Sequence, residues 1–500
     1  MSENKILSLP KGWEACSFGD IVSIQNGYAF KSGLFKKSKE HETDVPLIRQ
    51  SQMKGTKIDI SDAVFLAEEQ LKKHPNYKIT KGDVIIGMSG SIGKVCLYEE
   101  NIPALQNQRT GKIIPYLLSE LNPKFFGLFL SSIEQKLTKY AKGMGVQNIS
   151  SKDIEQLPFA LPPRNEQQRI VAKIEKLFSE LDKSIETLKT AQAQLKVYRQ
   201  ALLKNAFEGK LTAQWRVENQ DKLETTETIL KQIQQEHVSR YQQQLSKWEA
   251  SNKQSSKPRE QKLLPPIPIK ELTKFSVLPN GWAWIKLGEV FNIYVGSTPS
   301  RKRSDFWNGD IPWVSSGEVA FCKIKDTKEK ITNLGYVSAS TEVHPIGTVM
   351  LAMIGEGKTR GQAAILDIKA CHNQNTAAIR VSETKCNPEF VYQYLVYQYE
   401  ITRKIGSGNN QKALNKERVS DLIFPFCSYS EMNEVVRHID EKLSVTDQLQ
   451  QAINLSIQQA ESLRQSILKR AFTGQLVPQD PNDEPASILL EQIKTSKVKL

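Results

Sequence analysis

One helix-forming stretch occurs twice in this chain, and the repeat limits what the chain can build. The first copy runs from about Arg164 to Leu211, the second from about Glu431 to Leu476. Arg199, Gln200, Leu203, Lys204, Ala206, Phe207, Gly209 and Leu211 return as Arg464, Gln465, Leu468, Lys469, Ala471, Phe472, Gly474 and Leu476, at a constant offset of 265 residues (203 to 468). A period that long is no solenoid unit. It describes two halves of one plan, each closing on the same long helix. In the first copy Ile174, Leu181, Leu188, Leu195 and Leu202 recur every seven residues, which is a coiled-coil seam on the order of 60 Å long. The second copy (Ile439, Leu443, Leu449, Ile453, Ile457, Leu463, Ile467) is less regular. Two such helices in one chain satisfy each other most simply by packing antiparallel, which also gives the halves an approximate two-fold relation.

The regions before the helices repeat more loosely. Leu9-Pro-Lys-Gly-Trp13 is matched by Leu278-Pro-Asn-Gly-Trp282, a turn whose tryptophan anchors it in a core. Lys81-Gly-Asp-Val-Ile-Ile-Gly-Met88 and Ile346-Gly-Thr-Val-Met-Leu-Ala-Met353 read as turns feeding buried strands. Pro123-Lys-Phe-Phe-Gly-Leu-Phe-Leu130 and Pro388-Glu-Phe-Val-Tyr-Gln-Tyr-Leu395 read as helices opened by a first-turn proline. Proline-bearing exits, Leu157-Pro-Phe-Ala-Leu-Pro-Pro163 and Leu422-Ile-Phe-Pro-Phe426, lead into the long helices. The expected fold class is α+β: two similar domains of short strands and helices, joined by two long antiparallel coiled-coil helices with pseudo-two-fold symmetry. The expected boundaries are 1–160 for the first domain, 161–211 for the central helix and 212–274 for a Gln- and Lys-rich, partly helical linker. The second domain is expected over 275–427, the C-terminal helix over 428–476 and a tail over 477–500. The linker's Ile229-Leu-Lys-Gln-Ile233 echoes the tail's Leu489-Leu-Glu-Gln-Ile493.

A formal charge of +13 favours a polyanionic partner, nucleic acid or an anionic surface. No run approaches the ~20 apolar residues of a membrane span, and the first ten residues lack a signal-peptide core, so a cytoplasmic protein with no membrane partner is expected. The six cysteines are scattered without a Cys-x-x-Cys and read as reduced, mostly buried thiols. Cys371-His372 has no further ligands at metal spacing, so no metal site is expected.

Ala352-Met-Ile-Gly-Glu-Gly-Lys-Thr359 comes near the phosphate-binding loop, in which glycine amides and a lysine wrap phosphate oxygens and a Ser/Thr holds magnesium. Its counterpart Met88-Ser-Gly-Ser-Ile-Gly-Lys-Val95 ends in valine, which holds no metal. The first residues of the Ala352 string fall within a strand. These strings read instead as tight basic turns near phosphates. No catalytic constellation is found, so the chain is expected to be no enzyme and to bind no cofactor. A nucleotide hydrolase built on Lys358 and Thr359, and a coiled-coil adaptor with no DNA role, are the competing classes.

Polar residues suited to base edges and phosphates recur at loop positions in both halves. In the first half they are Arg49, Gln50, Ser51, Ser89, Ser91, Lys94, Asn107, Gln108, Arg109, Lys142, Gln147 and Asn148, with Gln106 beside them. In the second they are Ser315, Ser316, Lys358, Arg360, Asn373, Gln374, Asn375, Asn409, Asn410, Gln411 and Lys412. Arginine pairs with guanine, glutamine and asparagine with adenine, and lysine with phosphate. Together, on a basic chain, they read as a double-stranded DNA interface.

The Leu-Pro-x-Gly-Trp openings, Phe30-Lys-Ser32, Gly296-Ser-Thr-Pro-Ser300, the exit Leu161-Pro-Pro-Arg-Asn-Glu-Gln-Gln-Arg-Ile170, Ala206-Phe-Glu-Gly-Lys-Leu211, Ala471-Phe-Thr-Gly-Gln-Leu476 and the tail that follows give the chain its family likeness. It resembles the specificity (S) subunit of type I restriction–modification enzymes over nearly its whole length. The second exit departs from the pattern, with Phe426-Cys-Ser-Tyr-Ser-Glu431 in place of Leu-Pro-Pro-x-x-Glu. The resemblance implies two target-recognition domains, each reading one half of a bipartite DNA site, whether in a type I system or a related restriction–methylation system. It implies helices that set the spacer and dock two methyltransferase subunits, here through Ile174, Leu181, Leu188, Leu195, Leu202, Phe207, Ile453, Leu463, Ile467 and Phe472. It also implies restriction subunits in the same complex. S-adenosylmethionine, ATP and magnesium would belong to those partners, leaving this chain without catalysis.

Overall fold

The computed structural model describes residues 9–117, 121–140, 148–250, 257–258, 264–339, 341–355, 357–404 and 413–497. Two compact units divide it: Met1–Thr190 with Ile453–Leu500, and Ala191–Ala452.

In the first unit the strand after the opening turn, Glu14–Ser17, pairs antiparallel with the exit strand Pro158–Leu161. Between them a six-stranded sheet runs in the order Val22–Asn26, Thr110–Pro115, Val84–Gly87, Val95–Leu97, Lys57–Ile58, Met53–Lys54. A four-stranded sheet runs Val64–Leu66, Val45–Ile48, Ala104–Gln106, Lys78–Ile79. Helix Pro123–Ser132 starts at its proline, with the Asn122 side chain accepting from the Lys124 N–H at 3.0 Å, so one orphan donor of the first turn is satisfied. Its buried Phe125, Phe126 and Phe129 pack with Phe18 and Phe159.

The second unit repeats the plan. Ala283–Lys286 pairs with Ile423–Phe426. A five-stranded sheet runs Ile293–Val295, Thr376–Ile379, Val349–Ala352, Ala363–Leu366, Cys322–Ile324, and a three-stranded sheet runs Glu329–Ile331, Trp307–Val314, Cys371–His372. Helix Pro388–Tyr397 is capped by Asn387, which accepts from the Glu389 N–H at 2.9 Å.

The long helices span Arg164–Phe207 and Tyr429–Ala471. Within the second unit Arg199 meets Asp447 and Thr212 meets Glu431. Within the first, Asp182 meets Arg464 and Arg169 meets Asp483. In each unit the partner number falls as the residue number rises, so the helices run antiparallel there. Asp182 and Asp447, like Arg199 and Arg464, are equivalent positions of the repeat. The two helices end alike: Gly209 (φ 68°) and Gly474 (φ 70°) adopt the left-handed turn, and the N–H groups of Lys210 and Gln475 reach back to Asn205 and Arg470 carbonyls at 2.9 and 2.8 Å. This is the glycine-stopped helix end. At the divergent second exit, buried Ser428 replaces the prolines, its hydroxyl accepting from the Glu431 N–H at 3.3 Å.

Each long helix ends in a core built by segments distant from it in sequence. Leu203, Ala206 and Phe207 pack with Trp282, Phe390 and Tyr394 in the second unit. Ile467, Leu468 and Ala471 pack with Trp13, Phe125 and Phe159 in the first. The next helices follow them. Thr226–Ala250 inserts Ile229 and Ile233 into the second core, and Ala486–Lys497 inserts Ala486, Leu489, Leu490 and Ile493 into the first. The echo between linker and tail is therefore one device used twice, an apolar stripe at four-residue spacing that closes a core.

Packing also revises the docking set. Ile174, Leu202, Phe207 and Ile467 are 0–6% exposed; Ile174 and Ile467 pack in the core of the first unit and Phe207 in that of the second. They cannot dock a partner. Leu181, Leu188, Leu195, Ile453 and Phe472 are half-buried, while Leu463 is 49% exposed.

Candidate nucleic-acid interface

One backbone frame is built in both units. In the first, the Asn107 N–H donates to the Ile48 carbonyl (3.0 Å), Met88 N–H to Arg109 (3.0 Å), Ile149 N–H to Met88 (3.0 Å) and Thr110 Oγ1 to Asn107 (2.7 Å). In the second, Asn373 N–H donates to Val314 (3.0 Å), Met353 N–H to Asn375 (2.8 Å), Leu414 N–H to Met353 (3.0 Å) and Thr376 Oγ1 to Asn373 (3.0 Å). Four loops distant in sequence are thereby gathered at one edge of each unit. A glycine lies against each frame: a Cβ on Gly27 would sit 2.1 Å from the Asn107 carbonyl oxygen, and one on Gly296 would sit 1.9 Å from that of His372.

In the first unit these loops surround a hollow of about 340 Å³ lined by Asn26, Ser89, Gln108, Arg109, Asn148 and Ser150. Gln108, Arg109 and Asn148 are exposed, and Arg109 makes no ion pair among the described residues. Gln50 lies across the cluster, its Nε2 donating to the Arg109 carbonyl at 3.3 Å. Ser51 is exposed, while Arg49, Ser91, Lys94 and Asn107 are half-buried. Ser89 is 6% exposed and bridges to Asn148 through its backbone. Gln106 is wholly buried and braces the frame, donating to the Gln25 and Thr110 carbonyls at 3.0 and 2.9 Å.

In the second unit the same frame carries other side chains. Gln374 is exposed, and the Thr298 hydroxyl donates to its Oε1. Asn375 and Ser316 are half-buried and Lys358 is exposed. Three of the expected contact residues are hydrogen-bonded within their own unit. Asn373 is 7% exposed and its Oδ1 accepts from the Asn375 N–H at 3.0 Å, a turn-forming use typical of asparagine. Ser315 donates its hydroxyl to Glu318 at 2.7 Å, closing a short helical turn. Arg360 donates to the Arg403 carbonyl at 2.7 Å, pinning the turn to helix Tyr399–Lys404. Lys142, Gln147, Asn409, Asn410, Gln411 and Lys412 lie outside the described residues.

The phosphate-loop-like string joins two antiparallel strands, Val349–Ala352 and Ala363–Leu366. A phosphate-binding loop needs a helix beginning at its Lys-Thr, whose N-terminal amides hold the anion. Here Lys358 and Thr359 lie in a turn, which removes the basis of the hydrolase reading.

Sequence reading missed two features. Below the second frame Arg380 Nη2 meets His344 Nδ1 at 3.0 Å, His344 Nε2 meets His372 Nε2 at 3.1 Å, and His372 Nδ1 meets Thr376 Oγ1 at 2.7 Å. A guanidinium only donates, so His344 accepts at Nδ1 and donates from Nε2. The protons then point along the row to Thr376 and the Asn373 carbonyl. Burial pushes His372 down to about 4 and His344 to about 2, keeping both neutral. The thiol of the neighbouring Cys371 is pushed up to about 12 by the same burial. The second missed feature is an aromatic group around Tyr28 beside the first frame. Its only sequence signal is the aromatic pair in the loop Asn26-Gly-Tyr-Ala-Phe30, which has no core periodicity.

The family model for the type I restriction modification DNA specificity domain matches residues 10–196 and 279–459. The chain belongs to that family. Both copies of the specificity domain fall on the repeat described above. The chain is 25% identical to the EcoBI specificity subunit of Escherichia coli, over 99% of this chain and 94% of that protein. It is 20% identical to the MjaX specificity subunit assigned in Methanocaldococcus jannaschii, over 95% and 96%. Among solved structures it resembles a chain from work on complex assembly and conformational transition of the type I R-M system, with a TM-score of 0.63, 18% identity, and 94% of this chain and 100% of that one covered. The HsdS subunit from Thermoanaerobacter tengcongensis gives 0.51 and 17%, covering 94% and 99%. At these identities the solved structures establish a shared fold for this specificity-domain chain. Among the described residues no helix is long and apolar enough to cross a membrane.

Proposed function

We propose that this chain is the DNA-reading subunit of a type I restriction–modification complex and that each of its units reads one half of a bipartite, asymmetric target. One observation carries this reading: the same backbone frame presents Gln108 and Arg109 in one unit, and Gln374 and Asn375 in the other. A repeated frame with different polar side chains is the arrangement expected for two readers of two different sequences. Arginine beside glutamine suits a guanine-containing element, and glutamine beside asparagine an adenine-containing one. Partner methyltransferase and restriction subunits supply the catalysis with S-adenosylmethionine, ATP and magnesium. Two methyltransferase subunits dock along the long helices, whose exposed faces remain after the cores are filled, and the helices set the spacer.

The reading is tested by exchanging residues 1–160 for those of another family member and mapping methylated adenines in cells that carry the partner subunits. The outcome expected is a change in one half of the target with the other half and the spacer kept. A change in both halves, or in neither, refutes it.

A further inference from the structure

Beside the first frame stands an aromatic ring that the frame itself does not need. Tyr28 is clamped by two backbone hydrogen bonds: its N–H donates to the Gln106 carbonyl at 3.0 Å, and its carbonyl accepts from the Gln108 N–H at 3.0 Å. It is thus fixed to the loop that displays Gln108 and Arg109, two residues after Asn26 of the hollow. Its ring lies 4.3 Å from His74 at 31°, 4.9 Å from Phe30 at 71° and 5.3 Å from Tyr77 at 44°. Three neighbours hold the ring in place, and the residue is still 38% exposed.

An exposed tyrosine on an aromatic cluster is often only the rim of a core. Two observations argue for more. The equivalent position in the second unit is Ser297, whose N–H makes the matching bond to the His372 carbonyl at 3.0 Å. The frame therefore forms without an aromatic residue at this position, where the Trp313 indole N–H donates to the Ser297 carbonyl at 3.0 Å instead, and the tyrosine at this position is particular to the first unit. A ring already immobilised by stacking also loses little entropy on binding, which is the property of an aromatic anchor.

We infer that Tyr28 is a specificity-determining residue of the first unit, packing its exposed ring face against the C5-methyl group of a thymine in the major groove. This rests on the DNA-reading function proposed above. The thymine assignment follows from what the groove offers. Base edges in the major groove present donors, acceptors and one apolar group, the thymine methyl; the minor groove presents no distinguishing apolar group. A rigid hydrophobic ring next to Gln108 and Arg109 therefore adds an apolar reading element to two polar ones.

The test uses the full chain assembled with its methyltransferase subunits, and duplexes of the target defined by methylation mapping. Each thymine of the half-site assigned to the first unit is replaced in turn by uracil, which lacks only the methyl group. For the native chain one replacement weakens binding by about fourfold, the worth of one buried methyl group. Tyr28→Ala weakens binding to the thymine duplex and abolishes the response to that uracil. Tyr28→Phe keeps both affinity and response. Replacements in the other half-site act equally on all three proteins, which also verifies folding. An unchanged affinity and uracil response in Tyr28→Ala overturns the inference while leaving the DNA-reading function intact. Loss in Tyr28→Phe equal to that in Tyr28→Ala, with no uracil response, assigns the contact to a phosphate through the hydroxyl and also overturns it. Failure of the native complex to bind the mapped target defeats the functional reading itself.

Discussion

Phe207 stands at the end of a helix that begins in the first half of the chain, yet its ring is 1% exposed in the core of the second unit. There it lies 5.3 Å from Phe390, 5.1 Å from Tyr394 and 5.9 Å from Tyr397. Phe207→Ala removes the ring from a site that backbone and aromatic neighbours cannot collapse to fill. The expected cost is about 3–5 kcal/mol, combining lost transfer energy and the cavity left behind. For a unit of this size each kcal/mol lowers the midpoint by about 2–4 °C, so the second unit should melt roughly 6–20 °C lower. Calorimetry reads the shift, and amide hydrogen exchange locates it. Protection should fall in strands Val349–Ala352 and Thr376–Ile379 and stay unchanged in Val84–Gly87 and Thr110–Pro115. If exchange instead accelerates in the first unit's strands, or equally in both sets, the assignment of this helix end to the second core is wrong.

Two further predictions concern the frames. Gly27→Ala and Gly296→Ala each force a Cβ to about 2 Å from a backbone carbonyl oxygen, which cannot be relieved by a side-chain rotation. Each should abolish the discrimination of its own half-site only, as read by binding to duplexes substituted in one half at a time: the variant no longer responds to changes in its own half and still responds to changes in the other. The buried histidines give the second unit an acid sensitivity that the first lacks at this position, where Gln106 replaces His372. Their folded values of about 4 and about 2 lie below the unfolded value of about 6.5. The unfolded chain therefore takes up protons that the folded unit refuses. The stability involved is present above pH ~6.5 and is lost as pH falls toward 4, by on the order of 1 kcal/mol per imidazole about one pH unit below the unfolded value. His372→Gln should flatten the melting profile of the second unit between pH 7 and 4.5, and an unaltered slope would contradict the account.

The duplication, the two long helices, the proline-capped helices and the buried strands were legible in the sequence, while the long helices stop at Phe207 and Ala471, short of the expected Leu211 and Leu476. These follow from local chemistry: seven-residue spacing, first-turn prolines and terminal glycines act within a few residues of themselves. It also pointed to the polar loops, because Gln108, Arg109, Gln374 and Lys358 are polar residues at turns and the structure leaves them exposed. Which core an apolar stripe enters depends on contacts between distant segments. Leu203 to Phe207 and Ile467 to Ala471 carry the same pattern, and the pattern states that a face is buried without naming its partner. Their partners are residues such as Phe390 and Phe125, far away along the chain, as are those of Ile229 and Leu489. The same holds within the frames. Asn373, Ser315, Arg360 and Gln106 are chemically able to read DNA, but each also hydrogen-bonds a carbonyl, an amide or a carboxylate of its own unit. Tyr28 stands out only because His74 and Tyr77, placed by a separate loop, hold its ring beside Gln108. Whether a polar or aromatic side chain faces inward or outward depends on what the fold brings next to it, and that is a property of contacts between distant segments.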